Sequence, residues 1–176
     1  MPVKSLHPWA KYRRAAGFTQ DSVADVLSVS RHYVIRLEQS LFTSPPKSIS
    51  IKLSELYGIE LGIFEASYYA FVRFKREEFA GKHGSFEKFF TDPYIFKKHP
   101  LEFYRDAYSL SRMGLCKGLC LHYDPISEYE KNKQREVPDQ LKEACEEIGW
   151  DVKPLRRAVA DWRTSGRADA TRSIYR

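Results

Sequence analysis

Residues 18–38, Phe-Thr-Gln-Asp-Ser-Val-Ala-Asp-Val-Leu-Ser-Val-Ser-Arg-His-Tyr-Val-Ile-Arg-Leu-Glu, read as two short helices joined by a tight turn. Helix formers run over 20–27 behind Thr19, whose hydroxyl suits the cap of a first turn. Val23, Ala24 and Leu27 then share one face. After a break at Ser28 and Val29, Ser30 is a second cap, and Val34 and Leu37 repeat the inward spacing over 31–39. The second helix therefore buries one stripe and presents another. Its outward residues, Arg31, His32 and Tyr33 at the start and Arg36 one turn later, are long polar or cationic donors. Such side chains reach base edges in a DNA major groove, which admits one α-helix.

Outward from this stretch, a helix over 9–16 precedes it, ended by Gly17. A Pro45-Pro46 loop follows, then a helix over 48–57, Gly58 and Ile59, and the start of a further helix. This order resembles the helix-turn-helix domain of the lambda-repressor-like (XRE-type, Cro-type) family, which includes many phage repressors, over residues 6–65. The resemblance implies that Gln20 clamps a backbone phosphate, that Ser30, Arg31, His32, Tyr33 and Arg36 face the groove, and that Thr43 and Lys47 lie near phosphates. It also places Arg13 and Glu38 on the family's buried pair. Two departures stand out. Ser28 occupies a turn position where the family has Gly, so it must accept a left-handed conformation. Ile35 is apolar where the family is often polar, and either touches a thymine methyl or packs inward.

The 176 residues are 43% hydrophobic and 14% aromatic, enough for one medium or two small packed domains. The net charge of +6 suits a polyanionic partner, although 30% charged residues of both signs describe a mixed surface. Neither a long apolar run nor a signal-like start is present, so the expected location is the cytoplasm of a bacterial host cell, in association with the nucleoid, with no membrane contact. Cys116, Cys120 and Cys145, with His122 nearby, invite a metal reading. No second ligand pair sits at finger-like spacing, so compact apolar filler is the preferred reading and no metal or other cofactor is expected.

The second half repeats the first. Laying His99 on His7, an offset of 92 residues, also pairs Pro8 with Pro100, Tyr12 with Tyr104, Arg13 with Arg105, Leu27 with Leu119 and Glu38 with Glu130. Thr19 falls on Ser111, Ser28 on Cys120 and Val34 on Ile126, and at an offset of 91 the Gly58-Ile59 pair aligns with Gly149-Trp150. Matches at core, cap and buried-pair positions are what a diverged second domain would retain. Its outward face differs, with His122, Tyr123, Asp124, Pro125 and Glu128, and Asp124 as the expected helix cap. Carboxylates repel phosphates, though an acid can accept from cytosine N4. Arg112, His122, Tyr123, Lys131 and Lys133 are the candidate DNA contacts of this copy; dimerisation or partner binding is its other reading.

Between the copies, a helical pattern over 60–80 carries Phe64, Tyr68, Phe71, Val72, Phe74 and Phe79, broken by Gly81 and Gly84. Phe86, Phe89, Phe90, Tyr94 and Phe96 follow. A packed junction is the first reading, and stacking platforms for single-stranded nucleic acid the second. A last helix over 154–163 should close the second core with Leu155, Val159 and Trp162. The expected organisation is all-α: a helix-turn-helix domain over 1–65, an aromatic-rich helical connector over 66–98, a diverged second domain over 99–165 and a flexible tail over 166–176.

The functional expectation is a sequence-specific double-stranded DNA-binding transcriptional regulator, a phage-type immunity repressor reading an asymmetric or bipartite operator as a monomer or homodimer. The competing expectation is a protein-interaction regulator, of antitoxin or anti-defence type, whose second domain dimerises or binds a partner. No enzymatic role is expected, since the five histidines lack a paired nucleophile and no phosphate-binding Gly loop is present.

Overall fold

The computed structural model describes residues 6–39, 45–91 and 97–164, and these are all-helical, with no strand among them. The chain divides into two compact units, Met1–Lys75 and Arg76–Arg176. The first holds α1 (Pro8–Ala15), α2 (Gln20–Leu27), α3 (Arg31–Glu38), α4 (Lys47–Tyr57) and most of α5 (Leu61–Lys82).

Each start in this unit has a local cause. The His7 imidazole accepts from the Trp9 amide at 3.1 Å, which begins α1 at Pro8, one residue before the expected start. Thr19 and Ser22 form a reciprocal capping box on α2. Ser28 does adopt the left-handed conformation, φ 54°, that lets α3 turn away, and Ser30 caps α3 through the Tyr33 amide at 3.2 Å. The helices close over Trp9, Val23, Leu27, Val34, Leu37, Leu53, Phe64, Tyr68 and Val72, all buried. Trp9 stacks on Phe64 at 4.2 Å and donates its indole N–H to the Phe64 carbonyl at 3.0 Å, so a large buried ring leaves no orphan donor.

The second unit contains the end of α5, then α6 (Phe86–Phe89), α7 (Pro100–Ala107), α8 (Arg112–Leu119), α9 (Tyr123–Glu130), α10 (Asp139–Glu147) and α11 (Lys153–Thr164). The expected break at Gly81 does not occur, because one glycine costs a helix only about 1 kcal/mol and α5 runs on to Lys82. The aromatic residues expected as a connector are divided between the two units. Tyr68 and Val72 are buried in the first unit, Phe79 and Phe86 in the second, and Phe74 is 49% exposed. Tyr94, Phe96 and the tail over 166–176 lie outside the described residues.

Within the second unit, Gly118 of α8 admits the Phe79 ring so closely that a Cβ there would stand 2.2 Å from it. Arg76, itself buried, donates to the Leu119 carbonyl at the end of α8 at 2.9 Å and ion-pairs with Glu147. The two tyrosines of α7 and the turn after it hold Gly84, Tyr104 donating to its carbonyl at 2.8 Å and Tyr108 accepting from its amide at 2.9 Å. Cys116, Cys120 and Cys145 are buried and unoxidised, and burial pushes the Cys116 and Cys145 thiols up to about 12. Leu155, Val159 and Trp162 of α11 are buried in this unit, as their spacing implied.

Candidate nucleic-acid interface

In the first unit α2 and α3 carry the candidate site. Arg31 and His32 are exposed at the start of α3, while Tyr33, Ile35 and Arg36 are half-buried. Arg31 lies 3.6 Å from Asp21 of α2, an ion pair in which both side chains are more than half exposed, and so one that a phosphate or base can displace at small cost. Burial raises the Tyr33 phenol above its usual value against the opposing pull of Arg36, which puts the two side chains in the same electrostatic neighbourhood. Ser30 is exposed, with its hydroxyl engaged as the α3 cap.

The orientation of this pair of helices rests on one carboxylate. Glu38, the last residue of α3, accepts from Arg13 Nε at 2.6 Å and Nη2 at 3.1 Å, and from Gln20 Nε2 at 2.9 Å. Arg13 also donates to the Phe18 carbonyl at 2.8 Å, which ties α1 to the turn before α2. The hydrogen bond to Glu38 raises the Arg13 guanidinium above its usual range. Gln20, expected on a phosphate, is thus held by its amide nitrogen inside the protein. Lys47 starts α4 and donates to both Glu65 oxygens, at 2.9 and 3.1 Å, from a side chain that is 64% exposed. Thr43 lies outside the described residues.

The second unit has helix starts in a common register with the first and a different surface chemistry. Every helix from α7 to α11 begins 92 residues after its counterpart among α1 to α5: Pro100 after Pro8, Arg112 after Gln20, Tyr123 after Arg31, Asp139 after Lys47, Lys153 after Leu61. Cys120 takes the left-handed turn conformation of Ser28, with φ 54° at both. Arg105 donates to Glu130 at 2.6 and 3.0 Å and to the Leu110 carbonyl at 2.8 Å, the counterpart of the Arg13 arrangement.

Where Gln20 stands in the first unit, Arg112 donates to Glu130 at 2.6 Å and to the Tyr123 hydroxyl at 3.1 Å, with its guanidinium 5.7 Å from that ring's centre. Arg112 and Tyr123, both expected to face DNA, are therefore bound to each other. The expectation for Asp124 is corrected as well. The cap position of α9 is His122, so Asp124 sits in the first turn. The His122 backbone is closed instead by Gln140, which accepts from its amide at 2.7 Å and donates to its carbonyl at 3.1 Å. Asp124 and Glu128 are exposed, as are Lys131 and Lys133 beyond the helix.

Gln140, Tyr123 in its role toward Arg112, and Arg163 of α11 escaped the sequence reading. The first acts 18 residues from its partner, a distance that local pattern does not span. The 92-residue register sets Arg112 on Gln20, but only the fold shows that each lies beside a buried carboxylate, Glu130 and Glu38 respectively.

A capped helix, a left-handed turn and a second helix with a cationic start, braced by a buried Arg–Glu pair, define a DNA-binding domain of the helix-turn-helix class. Residues 10–64 match the protein family described as Helix-turn-helix, which spans α2, α3 and α4 and supports a DNA-binding transcription regulator of the XRE type. No curated protein and no solved structure matches the chain. Among the described residues no helix is long and apolar enough to cross a membrane.

Proposed function

We propose that the chain is a phage-type transcriptional repressor built from two tandem lambda-repressor-like units, which occupies an asymmetric operator as a single chain. The observation that carries this reading is the exposed, cationic start of α3, Arg31 and His32, on a unit matched to the helix-turn-helix family. The common register of helix starts, the paired Arg–Glu braces and the left-handed residues Ser28 and Cys120 support a second unit of the same ancestry. Chemically unlike α3 and α9 favour an operator without a dyad, because identical half-sites follow from identical recognition helices. The immunity role comes from the family resemblance.

Selection from random duplex DNA at near-physiological salt tests this, since salt suppresses the nonspecific share of binding. An enriched, non-palindromic site is the expected result. A palindrome would replace the single-chain reading with a dimer, and no enrichment would end the repressor reading. Arg31→Ala is expected to weaken the selected site by about 1–3 kcal/mol and relax preference at one or two base pairs.

A protein-interaction regulator is the second reading, favoured by the exposed apolar side chains on α5, Ile63 at 58%, Tyr69 at 48% and Phe74 at 49%. Light scattering on the purified protein separates the two: an obligate dimer supports this second reading, and a monomer that binds DNA supports the first.

A further inference from the structure

Beyond the end of α9, residues 131–135 alternate in exposure. Lys131, Lys133 and Arg135 are exposed, and Asn132 and Gln134 between them are half-buried. Every outward position is a cation. The inward side is held by Arg163 of α11, whose Nε donates to Asn132 Oδ1 at 2.7 Å, Nη2 to the Gln134 carbonyl at 3.0 Å and Nη1 to the Arg135 carbonyl at 2.7 Å. From the other side the loop is wrapped onto α9, the Asn132 amide donating to the Tyr129 carbonyl at 3.0 Å and the Lys133 amide to the Glu128 backbone carbonyl at 2.9 Å. Asn132 takes a left-handed φ of 57°, a conformation asparagine accepts more readily than most residues.

Three like charges on five residues repel one another, and an untethered loop would spread them and lose conformational freedom on meeting a ligand. One guanidinium making three bonds removes that freedom before any ligand arrives. Two of the three neighbouring acids face cations outside the loop. Glu130 is taken by Arg105 and Arg112, at 2.6 Å each, and Glu136 faces Arg156 at 3.4 Å, leaving Glu128 exposed one turn back. At the start of α9, by contrast, Tyr123 is tied to Arg112, the His122 backbone is closed by Gln140, and the exposed Asp124 and Glu128 carboxylates repel phosphates. In the first unit the residue in register with Arg163 is Phe71, which packs against the His7 ring at 4.7 Å.

We infer that Arg163 is a positioning residue that fixes residues 131–135 as a grip for the DNA phosphate backbone, so that the second unit adds sequence-independent affinity to the base reading of the first. This rests on the DNA-binding reading above. The ligand chemistry is a run of phosphates on duplex DNA, contacted by Lys131, Lys133 and Arg135, while Arg163 touches none of them.

The test is a salt series of binding by the full-length protein to its selected duplex and to a scrambled one. In the triple variant Lys131→Ala, Lys133→Ala, Arg135→Ala the slope of log affinity against log salt should shrink by about 2.7, roughly 0.9 per lost phosphate contact. Both duplexes should weaken by the same factor, with the selected base preference unchanged. Arg163→Met should reduce the slope in the otherwise natural protein and change nothing further in the triple variant, because it acts through those three cations. A purely structural role would weaken binding in both backgrounds and overturn the positioning assignment. The triple variant, altered only at exposed side chains, decides the grip itself even if Arg163→Met unfolds the second unit. An unchanged slope, or an altered base preference, overturns the inference. If Arg31→Ala relaxes base preference while the triple variant is inert, the inference falls and the repressor reading stands; failure of the unaltered protein to bind any duplex sinks both.

Discussion

Each unit opens on a histidine whose ring is a helix cap, His7 for α1 and His99 for α7, and both rings are almost fully buried among aromatics. In each, Nδ1 accepts a backbone amide, so the neutral ring is the form the fold needs, and Nε2 has no hydrogen-bond partner among the described residues. Burial pulls both down to about 3, with Arg163, Arg105 and Arg112 adding to the effect at His99. The unfolded chain titrates near 6.5, so between about 6.5 and 3 the unfolded state binds more protons, and stability present above that window is lost as pH falls through it. The slope should approach 1.4 kcal/mol per pH unit for each histidine in the middle of the window. Urea unfolding at a series of pH values checks this, and the double variant His7→Asn, His99→Asn, which keeps a capping acceptor without a titrating ring, should flatten the profile. A second residue-scale expectation concerns the turn. Ser28 is exposed in a left-handed conformation, so Ser28→Gly should stabilise the first unit by about 1 kcal/mol. Cys120 has the same φ but is wholly buried, and Cys120→Gly should instead lower the melting temperature by opening a cavity.

Among the elements, Glu38 joins α1, α2 and α3 through one carboxylate, with Arg13 and Glu38 side chains only 8% and 9% exposed. Glu38→Ala leaves a buried guanidinium unpaired and should cost about 3–5 kcal/mol in chemical denaturation, far more than the small effect of breaking the exposed Arg31–Asp21 pair. The Phe79 contact makes a second element-scale case. Gly118→Val, which gives α8 the residue that α2 has at Val26, should push Phe79 out of its seat and destabilise the second unit by about 1–3 kcal/mol despite the helix propensity gained. These elements differ in how far the sequence revealed them. The bounds of α2 and the start of α3 were legible because caps and face spacing are local, within a turn or two. The Arg13–Glu38 pair was legible through the family resemblance, and Arg105–Glu130 through its recurrence at the same spacing. Gln20 and Arg112 were assigned to DNA and found on Glu38 and Glu130, since which partner a long polar side chain takes depends on chain brought close by folding. The course of α5 was missed at Gly81 because propensity marks a glycine as a weak point without saying whether packing overrides it.

At the scale of the molecule, the proposed function has two units of unlike surface on one chain replace the symmetry that two copies would supply. In a symmetric dimer both recognition helices are the same, and cooperativity with protein concentration follows from assembly. On the proposed single-chain reading linkage does that work, because the second unit would meet DNA at an effective concentration set by the covalent connection once the first has bound. The net charge of +6 adds attraction that falls with salt and is shared by all sequences. Titration of a duplex carrying the selected site should therefore give a simple hyperbola with one chain per duplex, and sedimentation of the complex should add a single mass of 20.6 kDa to that of the DNA. Protection of the duplex from cleavage should extend to one side of the enriched bases, over positions where sequence does not matter. A sigmoidal isotherm with two chains per duplex would show that symmetry is supplied by assembly after all, and would transfer the second unit's role from gripping the backbone to holding a partner copy.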